Sequence, residues 1–300
     1  MEHAAVDGSL CLAGVKYRPL ASREECATVV SLEREIWGPG YDEAVPVAVL
    51  LVSAARGAVL IGAFDGESRM IGFVYSMVCI KDGLPMQWSY KLGVLPRYRN
   101  EGVGMRLKLL QRERAIELGV DLIQWTFDPM LAPNAYLNLT KLGVYAREYA
   151  EDLYGESLAP VTHRNIPTDR LIVTWKIRDP WVEQHLSRLE VTAGETRNRL
   201  PGPNDAVTVN RAVRRGEWLE CAELAPDADA ARLAVEIPMN FSSMVPHAPA
   251  LALEWRLSVR KILSSCFARG YRAVEFFIDP ANLKGTYLLV RPSDPDYRTV

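Results

Sequence analysis

Histidine and cysteine are scarce in this chain, with four and five copies among 300 residues. The histidines form no H-x-x-x-H pair, and Cys11, Cys26, Cys79, Cys221 and Cys266 form no C-x-x-C pair. Zinc sites are built from such spacings, so no metal is expected. An odd number of widely spaced thiols also makes no disulfide frame, which suits a reducing compartment. No apolar run approaches the roughly 20 residues that cross a bilayer. The first residues, MEHAAVDGSLCLAG, lack the basic start and apolar stretch of a secretory signal. Charge of one sign is missing too: 35 basic and 37 acidic residues leave a net charge of −2. That balance is unlike a nucleic-acid-binding surface. A soluble cytoplasmic protein without membrane or nucleic-acid partners is the expectation.

What is present is ample material for a core, at 49% hydrophobic residues. GVKYRPL reads as a first strand. SREECATVVSLEREIW follows as a helix, with Ser22 as N-cap, Glu25 completing a capping box and GPG (Gly38 to Gly40) as the stop. VPVAVLLVSAARG reads as a second helix. AVLIGAFD and RMIGFVYSMVCI are strands joined by a turn at Asp65-Gly66, and MQWSYKLGVLP is a fourth strand closed by Pro96. A helix from about Gly104 to Leu118, the strand VDLIQWTF and the helix PNAYLNLTKLG come next. The order β-α-α-β-β-β-α-β-α implies an α+β (mixed α/β) fold, a central mixed sheet flanked by helices.

The chain turns polar from about 180 to 209, with PGPND (Pro201 to Asp205) as the linker. This gives a first domain over 1–180 and a second over 181–300. RLKLLQRERAIELGVDLIQWTFDP (Arg106 to Pro129) lines up with RLSVRKILSSCFARGYRAVEFFIDP (Arg256 to Pro280), with one residue inserted. Both run helix, glycine turn, strand, Asp-Pro. Either the second half is a degenerate copy of the first, or two helix-turn-strand units simply look alike. As a copy it lacks the loop glycines, because PHAPALALEW stands where RYRNEGVG stood.

That loop carries the chemistry. Arg99-x-x-Gly102-x-Gly104 sits between a strand end and a helix start. Glycine lets a bulky anion approach the main chain, and the first helical turn offers unpaired N–H groups and partial positive charge. Arg97, Arg99 and Arg106 add charge around this cradle for a phosphate or pyrophosphate. The spacing fits neither a G-x-G-x-x-G dinucleotide loop nor a P-loop, since no G-K-[ST] follows.

LGVLPRYRNEGVG (Leu92 to Gly104) resembles the signature of the GCN5-related N-acetyltransferase (GNAT) superfamily, R/Q-x-x-G-x-G/A after a strand reading L-x-V-x-P. The element order over Val15 to Tyr154 is similar to that family. WTFDP, NAYLN, Tyr154-Gly155 and Thr168 to Arg170, with EIP, WRLSVR and RGY further on, resemble a bacterial subgroup that carries a C-terminal extension. The resemblance implies a GNAT fold followed by a degenerate GNAT-like half. It also implies acetyl-CoA or another acyl-CoA as co-substrate, and a small-molecule amine as acceptor. Leu92, Gly93 and Val94 would run along the pantetheine arm, and Arg99, Asn100, Glu101, Gly102, Val103, Gly104 and Met105 would hold the phosphates.

Many family members place a tyrosine acid four residues before the glycine closing the helix after the fifth strand. That position is Leu139 here, a departure from the pattern. Tyr136 or Tyr145 could substitute, or both simply pack. Asn134 could bind the pantetheine amides or cap its helix. Asp128 could bind the amine or relay its proton, or serve as a turn former before Pro129. Trp88, Tyr90, Trp125, Tyr149 and Tyr154 could wall an acceptor cleft, and Arg170 could grip a carboxylate or pair with Asp169. Some proteins resembling the subgroup are linked to N-acylation of amino acids, including N-succinylation. The function implied is N-acyl transfer of an acetyl or other short acyl group, such as succinyl, to a small amine. A carrier-protein donor, a protein or peptide acceptor, a non-catalytic acyl-CoA sensor and a homodimeric state stay open.

Overall fold

The structure, a computed structural model, describes residues 14–38, 41, 43–155, 166–191, 205–222 and 224–294. Cys11, Pro39-Gly40 of the expected helix stop and Pro201 to Asn204 of the expected linker lie outside the described residues. The chain divides into two compact units: Met1–Gln124 with Lys176–Arg178 and Glu183–Arg197, and Trp125–Trp175 with Asp179–Val182 and Asn198–Val300. Where composition places a seam near 180, the units divide within one strand, Leu122–Phe127.

The first unit begins with β1 (Lys16–Pro19), α1 (Arg23–Trp37) and α2 (Val47–Ala54). It continues with β2 (Val59–Phe64), β3 (Met70–Lys81), β4 (Leu84–Val94), α3 (Val103–Glu117) and the start of β5 (Leu122–Phe127). This is the element order read from the sequence. Ser22 caps α1 as expected: its hydroxyl accepts the Glu25 N–H, and the Glu25 carboxylate accepts the Ser22 N–H. Strands run β1-β2-β3-β4-β5, antiparallel except for the parallel pair β4–β5. Val29, Leu32, Leu50, Ile71, Phe73 and Leu107 bring α1, α2 and α3 onto this sheet in one apolar core.

Two irregularities of β4 position the site. The ladder with β3 steps from Tyr75↔Lys91 to Ser76↔Ser89, leaving Tyr90 as an extra, bulged residue. Bulges free main-chain groups from the ladder and re-aim side chains. On the other edge β4 pairs with β5 only at Gln87↔Ile123 and Trp88↔Gln124. The β4 backbone from Ser89 to Val94 therefore has no place in that parallel ladder.

The second unit takes up the end of β5, then α4 (Ala132–Ala135), a π-helical turn (Tyr136–Lys141), β6 (Tyr145–Ala150) and β7 (Arg170–Lys176). After α5 (Pro180–Val191), most of which belongs to the first unit, come β8 (Val207–Arg215), β9 (Trp218–Ala222), β10 (Arg232–Pro238), α6 (Phe241–His247) and α7 (Pro249–Ala268). β11 (Arg272–Asp279) and β12 (Lys284–Val290) complete it. Strand order is β7-β6-β11-β12-β10-β8-β9. The helix expected over PNAYLNLTKLG widens after its first turn, where Leu142 N–H reaches Leu137 O, five residues back.

The expected half-copy is present as β10–α7–β11, but β12 lies between its two parallel strands. β12 pairs with β10 from Arg232↔Val290 to Pro238↔Lys284 and with β11 from Arg272↔Val290 to Asp279↔Lys284. The connection ahead of α7 is filled by α6, whose Phe241, Met244 and Val245 are buried. An extended ligand has no open strand edge to use between β10 and β11. Among the described residues no helix is long and apolar enough to cross a membrane.

Candidate active site

The cradle is built at the end of β4. Leu95 N–H is held by Ile71 O at 2.9 Å, and a 3-10 turn over Pro96–Tyr98 follows. Tyr98 hydroxyl donates to Asp65 at 2.9 Å, tying the loop to the turn between β2 and β3. Asn100 (φ +67°) and Gly102 (φ +78°) then adopt left-handed backbone. At Gly102 this conformation makes the N-cap of α3, and no side chain caps the helix. The first α3 amide in a helical bond is that of Arg106, to Gly102 O at 3.0 Å. The N–H groups of Val103, Gly104 and Met105 precede it, with the helix dipole behind them. Arg97, Arg99, Asn100 and Glu101 are exposed around this mouth, and Arg99 Nε donates to Val94 O at 3.1 Å.

Leu92, Gly93 and Val94 pair through their backbones with Val74, Phe73 and Gly72 of β3. A Cβ at Gly93 would stand 2.8 Å from Ile36 and 3.0 Å from Phe73, so a larger residue there would have to push the Ile36 side chain of α1 aside. Gly104 differs. A Cβ there meets only Val94 at 3.8 Å and Leu92 at 3.9 Å, ordinary contact distances. The protein's own packing does not demand glycine at 104, whereas a ligand lying against that turn would. Gly104→Ala is therefore expected to hold or raise thermal stability, since glycine costs up to about 1 kcal/mol in a helix. It should also weaken coenzyme A binding about tenfold or more in a calorimetric titration. Loss of stability with unchanged binding would refute this reading of the turn.

The candidate catalytic residues and Asn134 lie in the second unit, in different settings, whereas Trp88 and Tyr90, expected as cleft walls, lie on β4 of the first. Asn134 is exposed in the first turn of α4; Leu131 is the N-cap and no side chain caps the helix, so the capping alternative fails. Tyr136 is half-buried at the start of the π-helical turn, with Lys141 Nζ 5.6 Å from its ring centre. Leu139, the position where the family places tyrosine, is fully buried. Tyr145 is buried against Val274, Leu288 and Val290. Asp128 is also buried: its two oxygens take a bidentate bond from Arg256 at 2.6 and 2.7 Å, and Oδ1 accepts Met130 N–H at 2.8 Å. Burial alone would raise its pKa, but Arg256, Arg170 and the Met130 amide hold it below the usual carboxylate value.

Arg170 does not pair with the Asp169 carboxylate. That carboxylate is held by Arg260 (2.6 and 2.9 Å) and by the Tyr149 hydroxyl (2.7 Å), while Arg170 Nη1 donates to the Asp169 carbonyl and pairs with Asp128 Oδ2 at 3.7 Å. Burial first, and Asp169 next, push the Tyr149 phenol well up, so it stays protonated and donates. Of the aromatic residues proposed as cleft walls, Trp125 Nε1 donates to Asn138 and the Tyr154 hydroxyl bonds that of Thr126.

A cleft of about 280 Å³ lies in the first unit, and of the five aromatic residues expected as cleft walls Tyr90 alone is in its lining. It is lined by Glu43 to Pro46 ahead of α2, Val49 of α2, Tyr75 and Met77 of β3, and Tyr90 at the β4 bulge. Beside it a buried ion pair joins Lys91 of β4 to Glu33 of α1 at 2.6 Å. The one local signal was the pairing of charged residues with otherwise apolar elements.

No protein-family model and no curated protein sequence matches the chain. Among solved structures it is similar to a chain of the NatC complex bound to Gag peptide and CoA, at 17% identity, 54% of this chain, 98% of that chain and a TM-score of 0.43. It is likewise similar to an acetyltransferase of the GNAT family from Streptococcus pneumoniae, at 14% identity, 53% and 98% coverage, TM-score 0.44. A third is the PaiA N-acetyltransferase from Thermoplasma acidophilum in complex with coenzyme A, at 16% identity, 54% and 98% coverage, TM-score 0.37.

Proposed function

We propose that the protein is an acyl-CoA-dependent N-acyltransferase that moves an acetyl or other short acyl group to the amine of a small molecule. The observation supporting this most is the start of α3: an uncapped helix N-terminus behind a left-handed Gly102, with Gly104 open toward it and arginines at its rim. A pyrophosphate satisfies the three amides, and a pantetheine arm can pair with β4 between Ser89 and Val94 as an added strand would. Along that strand the bulge at Tyr90 turns main-chain groups out of the ladder, where an N–H can stabilise negative charge on a thioester oxygen.

In the reaction the amine lone pair attacks the thioester carbonyl carbon. As the tetrahedral species collapses, the C–S bond breaks, the thiolate leaves and takes up a proton, and the nitrogen loses one. Tyr136 is the phenol we retain as candidate acid. Asp128 is a poor candidate base, because accepting a proton would cost it the Arg256 pair.

Calorimetric titration with coenzyme A, acetyl-CoA and succinyl-CoA tests the reading. Saturable binding is expected, and the Arg99→Glu/Gly102→Asp variant, which adds negative charge at the cradle, should lose about tenfold or more in affinity. Unchanged affinity in that variant would remove the cradle assignment. Thiol release in the presence of amines then distinguishes turnover from mere binding.

A further inference from the structure

Lys91 lies just past the β4 bulge, with its ammonium buried. Nζ donates to Glu33 Oε2 at 2.6 Å and to the main-chain oxygen of Glu43. The same Glu33 oxygen accepts the Val45 N–H at 3.2 Å. Three rings surround the ammonium, with centroids at 4.8 Å (Tyr41), 5.4 Å (Tyr90) and 5.5 Å (Trp37). One strand residue, acting with one residue of α1, thus fixes Glu43 and Val45 ahead of α2.

Stability alone is a weak reason for this arrangement. Glu33 is fully buried, and its Oε1 has no hydrogen-bond partner among the described residues. Buried ion pairs exchanged for apolar groups of similar size are often neutral or stabilising. What the pair supplies is position, because the segment it holds is the wall of the cleft. The rest of the lining is apolar or aromatic: Val45, Pro46, Val49, Met77 and the rings of Tyr75 and Tyr90. The Tyr75 hydroxyl is engaged with Ser53 Oγ at 2.9 Å. With the Lys91 charge met by Glu33, Glu43 brings the one formal charge among the lining residues, and it is negative.

We propose that Lys91 and Glu33 form a latch that shapes this cleft, and that the cleft selects an acceptor amine bearing an apolar or aromatic group. Glu43 draws the amine in as its ammonium form, which gives one proton to solvent before its lone pair attacks, and the apolar group packs on the aliphatic wall and the two tyrosine rings. Lys91 and Glu33 act through the segment they hold and are positioning residues. The inference rests on the acyltransferase reading and deepens it.

The test is thiol release from acetyl-CoA with 2-phenylethylamine, 3-methylbutylamine and ethanolamine as probes, alongside calorimetry with acetyl-CoA. The wild-type protein is expected to favour the first two by about tenfold or more in kcat/KM over ethanolamine. Lys91→Met/Glu33→Leu, which removes the latch without leaving a lone buried charge, should raise the KM for 2-phenylethylamine about tenfold while the KM for acetyl-CoA stays within about twofold. Lys91→Arg should restore much of the amine KM. Glu33→Gln, which keeps an acceptor for Val45, is read the same way if the double variant does not fold. An unchanged amine KM in a folded variant overturns the latch, and a preference for ethanolamine overturns the apolar acceptor. Absence of acetyl-CoA binding by the wild-type protein overturns the acyltransferase reading itself, and this inference with it.

Discussion

Asp128→Ala is expected to cost about 3–5 kcal/mol of stability, measured as a fall in the urea midpoint at unchanged slope. The variant leaves Arg256, which is almost wholly buried, without its bidentate partner. A guanidinium in that position cannot recover water, and its Nε already lacks a hydrogen-bond partner among the described residues. Asp128→Asn preserves the turn bond to Met130 but not the charge, so it too should be destabilised. Asp128→Ala/Arg256→Met should recover a large part of the loss, since both charges leave together. The pH dependence follows from the direction of the shift. A carboxyl held below its unfolded value stabilises the fold above that value, about 3.9, and the contribution is lost as pH falls through the lower folded value. A base used in catalysis would behave otherwise: Asp128→Asn would keep its stability and lose turnover.

The split between local and long-range information explains what could be read from the sequence. The Ser22–Glu25 capping box, the Asp65 turn and the glycine loop before α3 are signals a few residues wide, and each lies where the sequence placed it. The α3 boundary moved by one residue, from Gly104–Leu118 to Val103–Glu117. The helix after β5 was legible as a helix, but its π-helical turn was not. Counting four residues back from Gly143 to Leu139 assumes α-helical spacing, whereas Leu142 bonds to Leu137 across five. β12 was not foreseen at all, because an inserted strand is defined by its neighbours β10 and β11 and carries no motif of its own. The pairs that define the two polar clusters are more distant still. Lys91 and Glu33 are 58 residues apart, and Asp128 and Arg256 are 128 apart. Composition shows only that charges exist; the fold decides which are buried together. For the same reason the glycine loop was recognisable and the full lining of the cleft was not: one is a continuous segment, the other joins β3, β4, α2 and the segment before it.

Lys108→Met should change the slope of stability against pH, and this is the second large effect expected. Lys108 lies one turn beyond Gly104 on α3 and is 2% exposed. Its Nζ is 2.9 Å from Ser89 Oγ and 2.9 Å from Gln111 Oε1, and Gln111 Nε2 donates to Ser89 Oγ at 3.0 Å. Burial holds the amine well below its usual value. A neutral amine suits the triangle, for its two N–H groups suffice to donate to Ser89 Oγ and to Gln111 Oε1, while the amide donates to Ser89. Between the depressed folded value and the unfolded value near 10.4, the unfolded chain binds a proton that the folded chain does not. Wild-type stability must therefore rise with pH in that window, by up to about 1.4 kcal/mol per pH unit relative to Lys108→Met. Lys91 is shifted in the same direction, but it is common to both proteins and cancels in the difference. Urea midpoints at intervals from pH 7 to pH 10 give the comparison, and parallel curves would mean that Lys108 is charged in the folded state. The neutral form also bears on the cradle. In that form α3 would be fastened to Ser89 of β4 by hydrogen bonds from an uncharged amine. The helix proposed to bind the pyrophosphate would thereby be fixed against the strand proposed to carry the thioester.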